Sequence, residues 1–220
     1  MKLHTKKSVL FDLDGTLIDS IGLIVFCFQE SFKRCIGIEL SKEEVLSKIG
    51  KPLRPQLEDM AIQYDHPGMG QKILETYREL QFGNHDQLVT VFPGVLDTLF
   101  SLHNEGIKLG IVTSKGRGGT EASLKLFDRT KDIFSVIVTA DDSTTHKPSP
   151  GPLLQAASLI KVDPIDCCYV GDTIFDMQAS VGAKMTPVGV LWGVATHTEL
   201  SKYTNHILEE LPFTDRLWRK

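Results

Sequence analysis

Apolar runs punctuate the chain at five places: Val9 to Phe11, Ile107 to Val112, Val136 to Thr139, Cys167 to Val170 and Val188 to Leu191. Each is followed by polar or glycine-rich residues. Short continuous runs of this kind predict strands covered on both faces. From the second run onward they alternate with segments whose apolar residues recur at helical spacing. Val95, Leu96, Leu99 and Leu102 form one stripe, closed by Gly106, and Leu153, Leu154, Ala157 and Ile160 form another, opened by Pro152. Strand and helix in alternation predict an α/β fold, a Rossmann-like parallel sheet with helices on both faces.

The rhythm breaks between the first and second runs, where about ninety residues replace the dozen or so that a crossover between parallel strands needs. Helical patterns fill this insert. Asp19 or Ser20 can cap a helix reaching about Cys35, Ser41 and Glu44 fit a reciprocal capping box, and Ile73, Leu74, Tyr77 and Leu80 make a stripe. The pattern predicts a small helical cap domain at 16–89, inserted into a discontinuous core of 1–15 and 90–220. Gly83 to Gly94 return the chain to that core, with Pro93 and Gly94 marking the start of the next helix. Beyond Glu199 the sequence predicts a short extended piece around Ile207 and a final helix.

Composition narrows the partners. The 220 residues suit one filled α/β core with a small accessory, and 41% hydrophobic with 24% charged residues is ordinary for a globular chain. A net charge of -4 and the lack of any Lys/Arg run argue against nucleic acid. The longest apolar stretch, Ile21 to Phe28, is interrupted by Gly22 and falls far short of the roughly 20 residues of a membrane span. Met1 to Lys7 is basic but leads into a short strand-like run, not a signal-peptide core, so a cytoplasmic protein is expected. The 4 cysteines have neither metal-ligand spacing nor the density of a disulfide scaffold, and are expected as buried thiols.

Open parallel sheets bind ligands beyond the carboxyl ends of their strands, which here are chemically loaded. The first strand runs into Asp12-Leu13-Asp14-Gly15-Thr16, and the second ends at Thr113-Ser114-Lys115. The third leads through Asp141 and Asp142 to His146-Lys147-Pro148, and the fourth ends at Gly171-Asp172-Thr173 with Asp176 one turn later. If these loops converge, Asp12, Asp14, Asp172 and Asp176 share a small volume with one ammonium. Such carboxylates repel one another unless a cation compensates them. Oxygen ligands without a His or Cys cluster favour a hard ion, and Mg2+ is the expected cofactor. Metal, nucleophile and hydrogen-bond donors together are the inventory of phosphoryl transfer. Gly116, Gly118 and Gly119 lack a Walker pattern and read as turn formers, His146 as a loop residue and Trp192 as packing.

These segments, in this order, resemble the haloacid dehalogenase superfamily of hydrolases. The chain is most similar to its phosphoglycolate phosphatase-like branch, through Phe-Asp-Leu-Asp-Gly-Thr-Leu-Ile-Asp-Ser at 11–20, Phe-Pro-Gly-Val at 92–95, Lys-Pro at 147–148, Gly-Asp-Thr at 171–173 and Val-Leu-Trp-Gly at 190–193. The resemblance implies that Asp12 attacks phosphorus and carries an aspartyl-phosphate, while Asp14 protonates the leaving oxygen and later activates water. It implies that Thr113 and Ser114 bind the transferring group, and that Lys147 neutralises it while holding Asp12. The metal would be held by Asp12, the Asp14 carbonyl and Asp172, with Asp176 as an acidic partner or water-mediated ligand. Lys51 and Arg54, in Ile-Gly-Lys-Pro-Leu-Arg at 49–54, resemble a cap loop that contacts substrate.

A dehalogenase is disfavoured by the acid at Asp14. A phosphomutase is disfavoured by Gly171, where such enzymes place an acidic residue, and a non-catalytic binding protein by the complete set of reacting residues. The expected substrate is a small phosphorylated molecule. Phosphoglycolate comes first, with pyrophosphate, sugar phosphates and nucleoside monophosphates as alternatives.

Overall fold

The computed structural model describes residues 5–127 and 131–210. The five apolar runs become β1 (Ser8–Phe11), β4 (Lys108–Val112), β5 (Phe134–Val138), β6 (Cys167–Gly171) and β7 (Thr186–Val190). A short β8 (Ile207–Leu208) joins them, so the extended piece expected around Ile207 is present. The final helix expected of the tail lies outside the described residues. The sheet runs in the order β5-β4-β1-β6-β7-β8, and every neighbouring pair is parallel.

This order places β1 between β4 and β6. The chain winds outward from β1 through β4 to β5, then returns to β6 on the other side. Connections therefore diverge at β1 and leave a crevice at its carboxyl end. All four residues of β1 are buried, as continuous hydrophobicity predicts for a central strand. Helices α5 (Val95–Asn104), α6 (Arg117–Leu124), α7 (Gly151–Ile160), α8 (Ile174–Gly182) and α9 (His197–Leu200) belong to this half of the chain. The stripes on α5 and α7 are narrower than the sequence suggested, because Leu96 and Leu154 stand exposed while Val95, Leu99, Leu102, Leu153, Ala157 and Ile160 are buried.

The intervening segment is bounded by a two-stranded antiparallel neck. Here β2 (Ile18–Asp19) pairs with β3 (Thr90–Val91), Ile18 opposite Val91 and Asp19 opposite Thr90. Between them lie α1 (Ile21–Ile36), α2 (Lys42–Leu46), α3 (Leu53–Gln63) and α4 (Gly70–Leu88). Ile73, Leu74, Tyr77 and Leu80 are buried on α4. Phe28 of α1 meets Tyr77 edge-on with ring centroids 5.3 Å apart. Each such buried large side chain contributes about 1.5–3 kcal/mol, which binds these helices into a unit.

Two caps differ from the sequence reading. Ser20 occupies the N-cap position of α1 without a side-chain cap bond, because its hydroxyl donates to Asp14 Oδ1 at 2.6 Å. Ser41 accepts the Glu44 N–H at 3.1 Å, but the Glu44 carboxylate accepts the Tyr64 hydroxyl at 2.7 and 2.8 Å instead of closing the box. Cys27, Cys167 and Cys168 are buried free thiols, and Cys35 is a half-buried one.

Candidate active site

Three neighbouring strand ends carry the site. The Asp12 N–H donates to Val170 O and the Thr113 N–H to Val138 O, both at 2.9 Å, so the sheet register fixes each residue just past its strand. Asp172 follows β6 directly. Strand geometry does not continue from Asp12 to Asp14. The chain turns at Gly15, whose φ is 74° and whose N–H donates to Ile18 O at 2.9 Å. A Cβ at Gly15 would overlap the Asp172 carboxylate, so the position excludes larger residues by conformation and by space. Asp12 and Asp14 nevertheless line one cavity.

Asp172 and Asp176 are 0% exposed, Lys147 3% and Asp12 4%. Lys147 Nζ lies 2.8 Å from Asp12 Oδ2 and 2.6 Å from Asp176 Oδ1, and donates to the Tyr169 hydroxyl at 3.0 Å. Tyr169 in turn donates to Val112 O at 2.6 Å, tying this lysine to the end of β4. Burial drives the Asp12 carboxyl up to about 7, with Lys147 pulling it down and Asp176 pushing it up. Burial, then Asp176 and Asp12, raise Asp172 well above the carboxylate range. For Lys147, burial disfavours the charge, but Asp12 and Asp176 outweigh it and hold the ammonium well above its ordinary value.

One ammonium cannot neutralise these three buried carboxylates. Oxygens of Asp12, Asp172 and Asp176 all come within 4.8 Å of one another. An all-oxygen, over-negative cluster of this kind fits a hard divalent cation such as Mg2+. The three are not equivalent. Asp176 Oδ2 accepts the Thr173 N–H at 2.9 Å and its hydroxyl at 2.6 Å, capping α8, while Oδ1 holds Lys147. Asp172 is held more lightly, by the Thr16 hydroxyl at 3.1 Å and the Val194 N–H at 2.9 Å. The 190–193 segment thus acts on the site from behind. Gly193 leaves room for Asp172, and Trp192 packs edge-on to Phe92 while its indole N–H donates to Thr16 O at 3.0 Å. Gly171 faces Asp176 so closely that even a Cβ would overlap it, leaving no space for an acidic side chain.

Above these groups lies a cavity of about 490 Å³, closed by Ile24, Phe28, Ile49 to Gln56, Leu74, Tyr77 and Arg78 from the helical insert. Ser114 does not reach into it as a free donor. Its hydroxyl donates to Gly50 O at 2.8 Å and ties the sheet side to the insert, while the residue still lines the cavity. Thr113 Oγ1 accepts the Lys115 N–H at 3.1 Å, leaving its own proton to donate. Lys51 and Arg54 both line the cavity, Lys51 Nζ 5.2 Å from the Phe175 ring centre and Arg54 donating to Gln71 Oε1 at 2.8 Å. Asp141 and Asp142 serve the backbone. Asp141 accepts the Arg117 N–H at 2.7 Å, and Asp142 accepts from Thr139 and pairs with the Arg117 guanidinium.

Lys115 is the site residue that sequence reasoning passed over. Its Nζ lies 2.7 Å from Asp14 Oδ1, inside the same cavity. The signal was its place directly after Thr113-Ser114 at a strand end. Its partner is 101 positions away in sequence.

Residues 9–190 match the model of a family described as haloacid dehalogenase-like hydrolase. The chain is 38% identical over 203 residues to a pyrophosphatase, PpaX, of Bacillus pumilus, covering 92% of this chain and 91% of that one. A solved hydrolase of Pseudomonas syringae is 28% identical with a TM-score of 0.86, covering 96% and 98% of the two chains. A predicted phosphoglycolate phosphatase of Haemophilus somnus shares the fold at 22% identity and a TM-score of 0.83, covering 98% and 99%. With its motif residues gathered at one crevice and matches spanning nearly its whole length, this chain belongs to the haloacid dehalogenase-like hydrolases.

Proposed function

We propose that the chain is a magnesium-dependent phosphatase working through an aspartyl-phosphate on Asp12, with pyrophosphate as its foremost substrate. The observation that carries this reading is Asp12 itself, buried at the cavity floor with Oδ2 on Lys147 and beside Asp172. In the first half-reaction an Asp12 carboxylate oxygen attacks phosphorus and the bond to the leaving oxygen breaks. Lys147 keeps Asp12 in place and offsets phosphoryl charge, and the Thr113 hydroxyl donates to a phosphoryl oxygen. Asp14, held through Oδ1 by Ser20 and Lys115, presents its other oxygen to a leaving alkoxide or, in the second half-reaction, to water. Water then cleaves the acyl phosphate and restores Asp12.

Asp12, the Asp14 carbonyl and Asp172 would hold Mg2+, with Asp176 supporting Lys147 in the next layer. The ion would neutralise phosphoryl charge and template the substrate. The helical insert at 16–89 acts as a cap that excludes water, with Lys51 and Arg54 on its inner side facing an anionic leaving group. Pyrophosphate is supported by the PpaX relative, whose similarity is stronger than that of the phosphoglycolate phosphatase-like structure. A small organic monoester is the second reading, favoured by the apolar wall that Phe28, Leu53, Leu74, Tyr77 and Phe82 give the cavity. Among the described residues no helix is long and apolar enough to cross a membrane. The free thiols suit a reducing compartment, and we place the protein in the cytoplasm.

Phosphate release from pyrophosphate and a panel of small monoesters, with and without Mg2+, tests the reading. Wild type should show magnesium-dependent release that Asp12→Asn abolishes; undiminished release by that variant would sink it.

A further inference from the structure

Lys115 is placed as a reagent would be. Its side chain is only 7% exposed, yet it lines the cavity above Asp12. Its main chain is fixed at both ends of the residue, the N–H donating to Thr113 Oγ1 at 3.1 Å and the carbonyl accepting the Ala140 N–H at 3.0 Å. Its stem is seated against Gly119, where an added Cβ would come within 3.0 Å of Lys115 Cε. The glycines at 116–119, which the sequence offered as turn formers, include one that makes room for this side chain. Among the described residues Asp14 Oδ1 is the acceptor recorded for Nζ, so two of its three N–H bonds are left for a ligand.

A lysine that merely oriented Asp14 would duplicate Ser20, which donates to the same Oδ1 at 2.6 Å. What Ser20 cannot supply is charge at the position where the leaving group departs. We infer that Lys115 is a leaving-group-binding residue that adapts the site to phosphoanhydrides, whose leaving group is itself a phosphate. The inference rests on the phosphatase reading above. When Asp12 attacks one phosphorus of pyrophosphate, the P–O bridge bond breaks and its electron pair stays on the bridging oxygen. In singly protonated pyrophosphate that oxygen departs within an orthophosphate that keeps the substrate's own proton and leaves as hydrogenphosphate, so it needs no proton from Asp14, only a cation to meet its charge. An alkyl monoester differs, since its leaving oxygen takes a proton from Asp14. Hydrolysis of the acyl phosphate then consumes one water, restores Asp12 and releases one orthophosphate, the second from pyrophosphate and the sole one from a monoester. Lys115 therefore matters in proportion to the charge of the leaving group.

The test compares wild type, Lys115→Met and Lys115→Arg, with Mg2+ present, on pyrophosphate and on glycerol phosphate, a monoester with an uncharged leaving group. Inhibition by imidodiphosphate, a non-hydrolysable analogue of the anhydride, is measured alongside inhibition by orthophosphate. Lys115→Met should lower kcat/KM for pyrophosphate by about 100-fold and weaken imidodiphosphate inhibition similarly. The monoester rate and orthophosphate inhibition should also fall, because Lys115 helps hold Asp14, but by about 10-fold less than the anhydride values, since Ser20 still donates to the same oxygen. Lys115→Arg should restore most of the selectivity, since the charge returns. Equal losses on both substrates and both inhibitors would overturn the inference and reduce Lys115 to a support for Asp14. Failure of wild type to release phosphate from either substrate would instead remove the phosphatase reading, and the inhibitor comparison reads the lysine on its own if only the monoester is turned over.

Discussion

The two walls of the cavity are built on different principles. On the sheet side, Asp12, Lys147, Asp172 and Asp176 are nearly inaccessible, and each is held by backbone or by a buried partner. On the insert side, Lys51, Arg54 and Arg78 are exposed, with Lys51 over the face of the Phe175 ring and Arg54 donating to Gln71. Bond-making groups need positions fixed to fractions of an ångström, which strand ends in a parallel sheet provide. Recognition of different leaving groups tolerates looser side chains on helices that are joined to the core by a two-residue neck. Substitutions on the two walls should therefore differ by orders of magnitude.

The largest effect is expected at the proposed nucleophile. Asp12→Asn should lower kcat by at least about 10⁴-fold with the fold intact, as seen by phosphate release and circular dichroism. Gly15→Ala comes next, because it combines a left-handed φ with an overlap onto Asp172. It should destabilise the protein by roughly 1–3 kcal/mol in denaturant titration and impair Mg2+ binding as well. A stability as high as wild type would mean that the turn relaxes freely and that the sheet wall is softer than described.

The charge imbalance on the sheet wall gives a prediction in pH. The Asp12 carboxyl is raised from 3.8 to about 7 in the folded, metal-free chain, so the native state binds its proton more tightly than the unfolded state does. That stabilisation is complete below the unfolded value and is lost as pH rises through the folded one. The melting temperature of metal-free protein should accordingly fall between about pH 4 and about pH 8 on this account. Saturating Mg2+ should restore several degrees, roughly 5 °C, at the upper end and little at the lower. A metal-free protein whose stability rises across that window would contradict the assignment of a cation-starved cluster.

The smallest effects belong to the insert wall and the seam. Arg54→Ala should raise KM by no more than about 10-fold while leaving kcat nearly unchanged, the pattern of lost uniform binding. Ser114→Ala breaks the bond to Gly50 O and should alter KM by only a few-fold. A loss of kcat comparable to that of Asp12→Asn at either position would erase the distinction between the walls.

Much of this organisation was visible along the chain. The central strands were readable because a strand buried on both faces needs an unbroken apolar run, as in β1 and β6. The helical character of the long insert was readable because α1 and α4 each present a coherent apolar face. The aspartates gathered at the crevice were readable because ligand sites in such sheets fall at strand ends, and strand ends are local in sequence. The same locality explains the failures. Ser20 and Glu44 had plausible partners within one turn, but tertiary packing offered Asp14 and Tyr64 instead. The bond from Ser114 to Gly50 O was likewise invisible, because it forms only once the insert folds down and brings Gly50, 64 positions away, within reach.

The sequence by itself determined the sheet, the insert and the inventory of polar groups at the crevice, since hydrophobic period and strand-end position are properties of short segments. Only the tertiary structure decided which donor meets which acceptor. It set Lys147 between Asp12 and Asp176, put Lys115 on Asp14, and left Asp172 lightly held beside the Gly15 turn. The reason is that charge and hydrogen-bonding energy depend on distance in space, and the pairs that matter here are closed by chain segments that run through the whole fold.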